Sequence, residues 1–310
     1  MGIQRPFRTC RAMIAVAAAL SMAAACTSST PAAAPDQPAA ESTAAPAGVP
    51  LLKNPVALQL YSLRESFKQE GVPATLAKVK AMGITHVELA GTYGLTRDAF
   101  KAELDKAGLT PVSMHADINA LVKDPAPIVD DAKFFGIEYV GNAWFPHERP
   151  FDAEDAARAI EAFNAAGKAL REAGLTFFYH AHGFEFAPVD GGGTLFDQIV
   201  EKTDPDAVKF QLDIFWAYHG GADPVALLKR YPTRFVSTHL KDMKPGTERN
   251  LTGGAPDDSS VALGAGEVPV KEVLEAARDT SIEWHIIEEE SPEPERNIPA
   301  GLAYLKTLGR

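Results

Sequence analysis

The chain has 310 residues, of which 46% are hydrophobic and 23% are charged, and this composition excludes a largely disordered protein. Its 41 acidic residues outnumber the 30 basic ones, so that the formal net charge is -11. Because an acidic body repels phosphate backbones, we expect no nucleic-acid partner. The two cysteines, Cys10 and Cys26, precede the predicted globular part and cannot cross-link it.

The amino terminus has the pattern of an export signal. Three arginines and no acid accompany an apolar run over 12–25, which is short for a membrane span, and small residues lead into Cys26. This pattern resembles a bacterial lipoprotein signal, in which the cysteine is lipidated, although Ala23 stands where leucine is usual. An ordinary cleaved signal peptide is the alternative. We expect 1–25 to be a lipoprotein signal peptide.

Residues 26–53 are predicted to form a disordered tether. They consist largely of Ala, Pro, Ser and Thr, and such a stretch cannot bury enough apolar surface to offset its ordering entropy. Together with the signal, the tether predicts an exported protein, periplasmic or at the cell surface. Its contact with the membrane would be a lipid on Cys26, and its oligomeric state is left open.

From residue 54 to 310, short β-rich runs alternate with longer amphipathic segments. The candidate strands are eight runs, at 55–60, 84–89, 109–114, 137–141, 174–179, 207–212, 235–240 and 283–288. Helices are predicted near 72–82, 96–107, 125–135, 152–172, 194–203, 223–230, 268–279 and 298–308. Glycine precedes several strands, where a turn that ends a helix favours it.

Strands that alternate with helices favour a parallel sheet, and eight such units predict a closed (β/α)8 TIM barrel that forms a single domain. An open doubly wound sheet is the alternative, but no G-x-G-x-x-G motif follows the first strand. The least regular part is the polar, Gly-rich stretch 243–266 after the seventh strand. It is either an inert insertion or a mobile lid over the site.

Active sites of such barrels lie at the carboxyl ends of the strands, and polar residues gather there in this sequence. Five of the eight histidines fall at or just past strand ends, namely His115, His180, His182, His219 and His239. Three acids do the same, namely Glu88, Asp213 and Glu288. One histidine alone would be better explained by a structural hydrogen bond. Imidazole and carboxylate together suit one divalent cation such as Mn²⁺, Co²⁺, Zn²⁺ or Fe²⁺.

Several segments resemble the sugar phosphate isomerase/epimerase family, a group of xylose isomerase-like TIM barrels. The likeness lies in YHAHGFEF (179–186), FQLDIFWAYHGGADP (210–224), THLKD (238–242), IIEEE (286–290), LQLYSLRE (58–65) and HVELAG (86–91). It covers residues 54–308 and implies the barrel fold and a metal site. Because the family spans several reactions, the resemblance says less about the substrate.

By position, the resemblance implies a cation held by four residues from strands five to eight, namely His180, Asp213, His239 and Glu288. In the epimerases of this superfamily a glutamate stands where this chain has His180, and that glutamate is one of two carboxylates that move protons. The exchange makes the site less negative by one charge and the cation a stronger Lewis acid. It speaks against simple epimerisation through two glutamates.

The candidate catalytic residues are His180, His182, Lys241 and Glu288. Lys241 lies two residues after His239 and on the same face, where it could stabilise an oxyanion or enolate. Pairing with the next residue, an aspartate, is the alternative. His182 could act as an acid or base, or support His180, with Glu185 orienting it.

The candidate substrate-binding residues are Glu88, His115, Glu185, Trp216 and His219. Trp216, with its neighbour Phe215, offers an apolar wall for a sugar ring, and packing at the barrel top is the alternative. The loop after the fourth strand is a further substrate-facing candidate, with Trp144, Phe145, His147 and Glu148. We expect His86 and His285 to be structural.

We expect a metal-dependent sugar isomerase or epimerase that abstracts a proton next to a carbonyl, with the cation lowering the cost of an enediolate. The expected substrate is a small free or oxidised carbohydrate, since no Gly-rich phosphate loop stands out. A lyase or hydratase that eliminates the aglycone from a 3-keto-glycoside is the close alternative. A non-catalytic sugar-binding lipoprotein is a second class. An abasic-site endonuclease of related fold is a third, which the acidic charge and export signal disfavour.

Overall fold

The computed structural model describes residues 51–309. The predicted signal peptide, the lipidation site Cys26 and most of the tether lie outside this range. Within it, no helix combines the length and the apolar character that crossing a bilayer requires.

Eight parallel strands close into a barrel. They are β1 (Ala57–Gln59), β2 (His86–Leu89), β3 (Thr110–His115), β4 (Tyr139–Asn142), β5 (Thr176–His180), β6 (Val208–Asp213), β7 (Phe235–Leu240) and β8 (Trp284–Ile287). Each strand pairs with its sequence neighbours, and β8 closes the ring against β1. All eight predicted strands are present, so the TIM barrel is confirmed and the open doubly wound sheet is excluded.

Helices surround the barrel between successive strands. They are α1 (Arg64–Glu70), α2 (Val72–Ala81), α3 (Arg97–Ala107), α4 (Ile118–Lys123), α5 (Ala126–Phe135), α6 (Ala153–Glu172), α7 (Leu195–Lys202), α8 (Ile214–His219), α9 (Pro224–Arg230), α10 (Val270–Ala277) and α11 (Pro294–Leu308). The sequence predicted eight of these, α11 with a start four residues later. It missed α1, α4 and α8, which have seven, six and six residues.

The main apolar core lies between the strands and the helices. The barrel interior is apolar towards the amino ends of the strands and largely polar towards their carboxyl ends. Three small or branched side chains, Ala57, Val112 and Ile286, form an apolar cluster in the interior. Because side chains alternate along a strand, residues two positions further on face the same interior. Two of these positions are polar, namely Gln59 after Ala57 and Glu288 after Ile286, and on β3 the shifted register brings Ser113 opposite Glu88. The sequence therefore builds polar layers towards the carboxyl ends.

The stretch 243–266 is pinned at its base by Asp242. Its carboxylate accepts hydrogen bonds from the amides of Gly264, Gly266 and Val268 at 2.9, 2.9 and 3.0 Å. Asp242–Met243 also pairs antiparallel with Ser260–Val261. The stretch is thus an anchored loop that returns to the end of β7.

Candidate metal centre and active site

Four side chains from consecutive strands converge at the carboxyl end of the barrel. Asp213 and His239 are register partners on β6 and β7, while His180 ends β5 and Glu288 follows β8. One nitrogen or oxygen of each lies within 4.8 Å of those of the others, and all four side chains are buried. The structure therefore brings together the four residues that the resemblance implied as ligands.

The oxygen Oδ2 of Asp213 faces the centre of this cluster. It lies 3.9 Å from Nε2 of His180 and 3.9 Å from Nδ1 of His239. Although buried, it has no hydrogen-bond partner among residues 51–309. An unpaired buried carboxylate oxygen is costly, and burial raises the pKa of Asp213 to about 6. A divalent cation would satisfy this oxygen.

The donor set fits such a cation in charge and in chemistry. Two carboxylates supply two negative charges, and two imidazoles supply nitrogens that bind an ion in their neutral form, which together suit Mn²⁺, Co²⁺, Zn²⁺ or Fe²⁺. His239 Nδ1 also lies 3.2 Å from Oε2 of Glu288, so that these donor atoms point towards one another. Asp213, His180, His239 and Glu288 are therefore the residues that would hold a metal ion.

A second set, His115 with His180 and His239, is also close enough to share an ion. However, Nε2 of His239 lies 2.6 Å from Oε1 of Glu88, and Nε2 of His115 lies 3.3 Å from the same oxygen. These nitrogens face a carboxylate instead of a common centre. The geometry favours the set that includes Asp213.

Glu88 lies below the cluster and is completely buried, so it does not reach the cavities at the mouth. Although burial opposes its charge, the nearby His115 and His239 hold the pKa of Glu88 down at about 2. It is therefore an interior carboxylate. The sequence placed Glu88 among the substrate-binding residues, and the structure places it one layer deeper.

Lys241 extends over the cluster from the end of β7. Its ammonium pairs with Glu290, lies 3.7 Å from Oε2 of Glu288, and lies 4.8 Å from the centre of the Trp216 ring. The alternative pairing with Asp242 is not present, because that carboxylate is occupied by backbone amides. Lys241 is 2% exposed, so its ammonium group is a buried positive charge, fixed by Glu290, next to the four clustered residues.

Two adjoining cavities open above these residues. One, of about 220 Å³, is bounded by Trp144, Trp216, Lys241 and the 253–260 part of the anchored loop. The other, of about 310 Å³, exposes His115, His180 and Glu288 on its wall, and His182 lines both. A cleft of this size accepts a small molecule rather than a polymer buried along its length.

His182 stands between the two tryptophans of the cleft. Its ring centre lies 5.1 Å from that of Trp144 and 5.5 Å from that of Trp216. Burial lowers the pKa of His182 to about 3, so the ring is neutral, and its Nδ1 has no hydrogen-bond partner in the described chain. A neutral imidazole on the wall of both cavities has a nitrogen lone pair that can accept a proton.

Two predicted substrate residues lie away from the cleft. Glu185 is fully buried and is held by the Tyr179 hydroxyl and by the amides of His182 and Gly183, so that it shapes the loop after β5. Burial raises the pKa of Glu185 to about 7. His219, at the end of α8, is buried with its ring 5.8 Å from that of Phe215 and lines neither cavity.

The remaining histidines His285, His86 and His147 pack against other residues of the barrel and its loops. His285 is buried on β8 with Nδ1 2.7 Å from the hydroxyl oxygen of Thr238, and His86 packs against Trp284. Both have the surroundings expected of structural residues. His147 packs against Trp144, with ring centres 5.2 Å apart, and helps hold that tryptophan at the mouth.

Some wall residues were not found from the sequence. Tyr61 and Arg64, just after β1, line the mouth, and so does Glu290. The signal that could have found them is proximity to a strand end, which was applied only to histidines and nearby acids. The interior glutamines Gln59 and Gln211 were also missed, although a polar residue inside a β-rich run is itself unusual.

Known proteins with related sequences include two called inosose dehydratase. The chain is 24% identical over 193 residues to that of Geobacillus kaustophilus, covering 54% of this chain and 61% of the relative. It is 24% identical over 165 residues to that of Lacticaseibacillus casei, covering 50% and 52%. The chain thus spans between about half and three fifths of the length of these relatives.

Solved structures share the fold. A sugar phosphate isomerase/epimerase from Parabacteroides distasonis superposes with a TM-score of 0.70 at 23% identity, covering 88% of this chain and 98% of that one. A protein called IOLI with a zinc atom gives 0.62 at 14% identity, covering 82% and 95%. A protein from Mycobacterium smegmatis in complex with magnesium gives 0.61 at 16% identity, covering 77% and 88%.

The family comparison covers most of the barrel. The description of the xylose isomerase-like TIM barrel family matches residues 76–308, which include β2 to β8 and all four clustered side chains. This agrees with the closed parallel barrel and confirms the resemblance drawn from the sequence motifs. The chain belongs to the xylose isomerase-like TIM barrel family.

Proposed function

We propose that this protein is a divalent-metal-dependent enzyme that removes a proton from the carbon next to a carbonyl group of a small sugar or keto-sugar. The observation that carries the proposal is the unpartnered Oδ2 of Asp213, buried between two imidazoles under an open cleft. A cation in this position supplies Lewis acidity to a carbonyl oxygen.

The chain's own residues supply the remaining functions. His182 is neutral and lines both cavities, so it is the candidate base for the carbon-bound proton. Lys241 holds a positive charge beside the same cavity and stabilises the oxyanion that develops. Trp216 and Trp144 supply apolar walls that keep water from a bound ring.

Elimination is the outcome that we favour after this first step. In an elimination, the C–H bond next to the carbonyl breaks and the C–O bond on the following carbon breaks. A carbon–carbon double bond forms between these two carbons, and the leaving oxygen takes up a proton. Two points support it: His180 stands where the resemblance to epimerases of the superfamily implies one of two proton-moving carboxylates, and the curated relatives are called inosose dehydratase. A 3-keto-glycoside or a cyclic polyol ketone has the required chemistry.

Isomerisation or epimerisation begins with the same proton removal and is the second candidate. Glu288 is the specific observation in its favour, because it places a carboxylate on the wall of the same cavity as His182 and so supplies a second group for proton transfer. The two outcomes share the enolate and differ in its fate: elimination expels an oxygen from the next carbon, whereas isomerisation and epimerisation return a proton to carbon.

The test uses residues 51–310, purified and loaded with Mn²⁺, Co²⁺, Zn²⁺ or Fe²⁺ in turn. Keto-sugars, 3-keto-glycosides and an inosose are incubated in D₂O and followed by proton NMR. We expect metal-dependent exchange of the proton next to the carbonyl, with an enone product where elimination occurs. Metal-independent binding of sugars without exchange would overturn the proposal in favour of a sugar-binding module.

We also propose that the enzyme acts outside the cytoplasmic membrane, attached by a lipid on Cys26. The support is the amino-terminal pattern of arginines, apolar run and small residues before that cysteine. This location favours free or oxidised sugars over sugar phosphates as substrates.

A further inference from the structure

Glu88 is a heavily bonded carboxylate in the barrel interior. Its Oε1 accepts hydrogen bonds from Nε2 of Gln59 at 2.7 Å and from Nε2 of His239 at 2.6 Å. Its Oε2 accepts from the hydroxyl of Ser113 at 2.6 Å and from Nε2 of Gln211 at 3.0 Å. Four donors on a side chain with no exposed surface leave it no role in direct substrate contact.

The contact with Glu88 assigns the tautomer of His239. A carboxylate only accepts hydrogen bonds, so Nε2 of His239 carries the hydrogen that it donates to Glu88. In the metal-free ring Nδ1 also has a hydrogen to donate, to Oε2 of Glu288 at 3.2 Å. A ring that binds an ion is neutral, so its remaining hydrogen stays on Nε2 against Glu88 and Nδ1 has a free lone pair. That nitrogen faces Oδ2 of Asp213 and Oε2 of Glu288, at the centre of the cluster.

The same carboxylate reaches the second imidazole through Gln211. The amide nitrogen of Gln211 donates to Glu88 and to the hydroxyl of Ser237, at 3.0 and 3.1 Å, so its amide cannot turn over without losing both bonds. Its oxygen Oε1 therefore faces Nδ1 of His180 at 2.8 Å and takes the hydrogen of that nitrogen. Nε2 of His180 is left with its lone pair towards Asp213.

We propose that Glu88 is a positioning residue that fixes the tautomers of both imidazole ligands, directly for His239 and through Gln211 for His180. It also supplies, one layer below the ion, a negative charge in a cluster where His180 stands in place of a carboxylate. The proposal rests on the cation site of the proposed function and not on its reaction or substrate.

The test is the replacement Glu88→Gln, measured by Zn²⁺ competition with a chromophoric chelator. An amide has one acceptor oxygen where the carboxylate has two, so either the Gln59 and His239 donors or the Ser113 and Gln211 donors would face an NH₂ group. We expect Zn²⁺ to bind about 10- to 100-fold more weakly. A nitrogen-15 NMR spectrum of the imidazoles should show a loss of the single tautomer at His239 or His180.

Two further variants make the result specific. Ser113→Ala removes one bond to Glu88 and none to an imidazole, so its Zn²⁺ affinity should stay close to that of the wild type. Gln211→Met keeps the bond from His239 to Glu88 and removes the partner of His180, together with a 3.2 Å contact to His115, so it should mix the tautomers of His180 and leave that of His239 unchanged. This second variant tests the hydrogen-bonded connection from Glu88 through Gln211 to His180 even where Glu88→Gln fails to fold.

The outcomes separate the two proposals. Unchanged Zn²⁺ affinity and unchanged tautomers in Glu88→Gln, or in Gln211→Met, would overturn the positioning role while leaving the metal site intact. Failure of the wild-type protein itself to bind any of the four cations would instead overturn the proposed function.

Discussion

The backbone amide of Trp216 donates a hydrogen bond to Oδ1 of Asp213 at 2.8 Å, so that one side chain both caps α8 and faces the metal cluster. This bond occupies one carboxylate oxygen and leaves Oδ2 directed at the two imidazoles. It also fixes the start of the helix that presents Trp216 to the cleft. The candidate metal centre and the apolar wall of the cavity are therefore joined at a single residue.

Replacement of Asp213 by Asn should separate these two roles. Asparagine is also a good helix cap, so we expect the free energy of unfolding of the metal-free protein to change by less than about 1 kcal/mol. The amide cannot supply the missing negative charge, so the affinity for the metal should fall at least about 100-fold. Catalytic turnover should fall with it. Metal analysis after gel filtration and thermal melting measure both effects.

The matched control is Asp223→Asn, because Asp223 caps α9 with bonds of 2.9 and 3.2 Å. It should retain full metal content. Stoichiometric metal and full activity in Asp213→Asn would refute the metal centre.

Replacement of Lys241 by Met should impair catalysis and spare the metal. The change removes the buried ammonium beside Glu288 and Trp216 while keeping a chain of similar length. Loss of one group that stabilises an oxyanion lowers kcat about 100- to 1000-fold. Lys244→Met is the control, since that lysine is exposed and pairs with Asp258. Equal kcat values for the two variants would argue against a role for Lys241 in the reaction.

The metal-free protein should lose stability as the pH falls through the range set by His285. Burial lowers the pKa of His285 to about 4, whereas an unfolded histidine has a pKa of about 6.5. Between these values the unfolded chain binds the extra proton, so stability is full above about pH 6.5 and falls until about pH 4. The shift corresponds to about 3 kcal/mol at most.

Urea unfolding at several pH values, in the presence of a chelator, measures this effect. His285→Gln keeps a partner for Thr238 and does not titrate, so its stability should depend less steeply on pH over this range. His86→Gln, at a half-buried site, should change the slope less. A wild-type slope in His285→Gln would show that other groups cause the acid sensitivity.

Replacement of Gly253 by Ala should open the cleft without affecting the metal. The glycine has a φ of 64°, and an added Cβ would lie 2.6 Å from Cδ1 of Phe184 and 3.4 Å from the Trp144 ring. We expect the anchored loop to shift and KM to rise about tenfold, which corresponds to about 1.4 kcal/mol. The fluorescence of Trp144 should change as well.

Gly246→Ala is the matched control for the loop. Its φ of 81° imposes the same left-handed strain, yet an added Cβ meets nothing within 4 Å. Its KM should remain near that of the wild type. Similar KM values for both variants and the wild type would favour the inert-insertion interpretation of 243–266 over a loop that closes on substrate.

Replacement of Cys26 by Ser should release the protein from the membrane fraction, because the acceptor for lipid would be lost. Cys10→Ser removes a cysteine on the other side of the apolar run and should leave the protein attached. Fractionation with and without detergent distinguishes the two. A membrane-bound Cys26→Ser protein would rule out lipidation at this position.

The strands were predictable because they depend on local pattern, and β7 begins and ends at the same residues as its predicted run. Local pattern also gathers polar residues at the strand ends, and the family resemblance singles out the four clustered residues among them. Side-chain alternation shows which residues face the interior. It does not show how far along the barrel axis each one lies.

That depth depends on the stagger between strands, which no single segment encodes. The register of β2 against β3 shifts between Val87 and Glu88, so that Glu88 pairs with Ser113 instead of Val112. This long-range detail sets Glu88 beneath His239 and away from the cleft. For the same reason, the position of Glu185 under its loop could not be read from its distance to His182 in the sequence.

The hydrogen bonds that Asp242 makes to the loop 243–266 have a consequence for how the site can change. The Asp242 carboxylate ties both ends of the loop together at the rim, at Met243 on one side and at Gly264, Gly266 and Val268 on the other. Insertions or deletions between these ends alter the length of an already closed loop, which costs little free energy. Substrate range can therefore diversify over the mouth while the ion-binding layer below keeps its geometry.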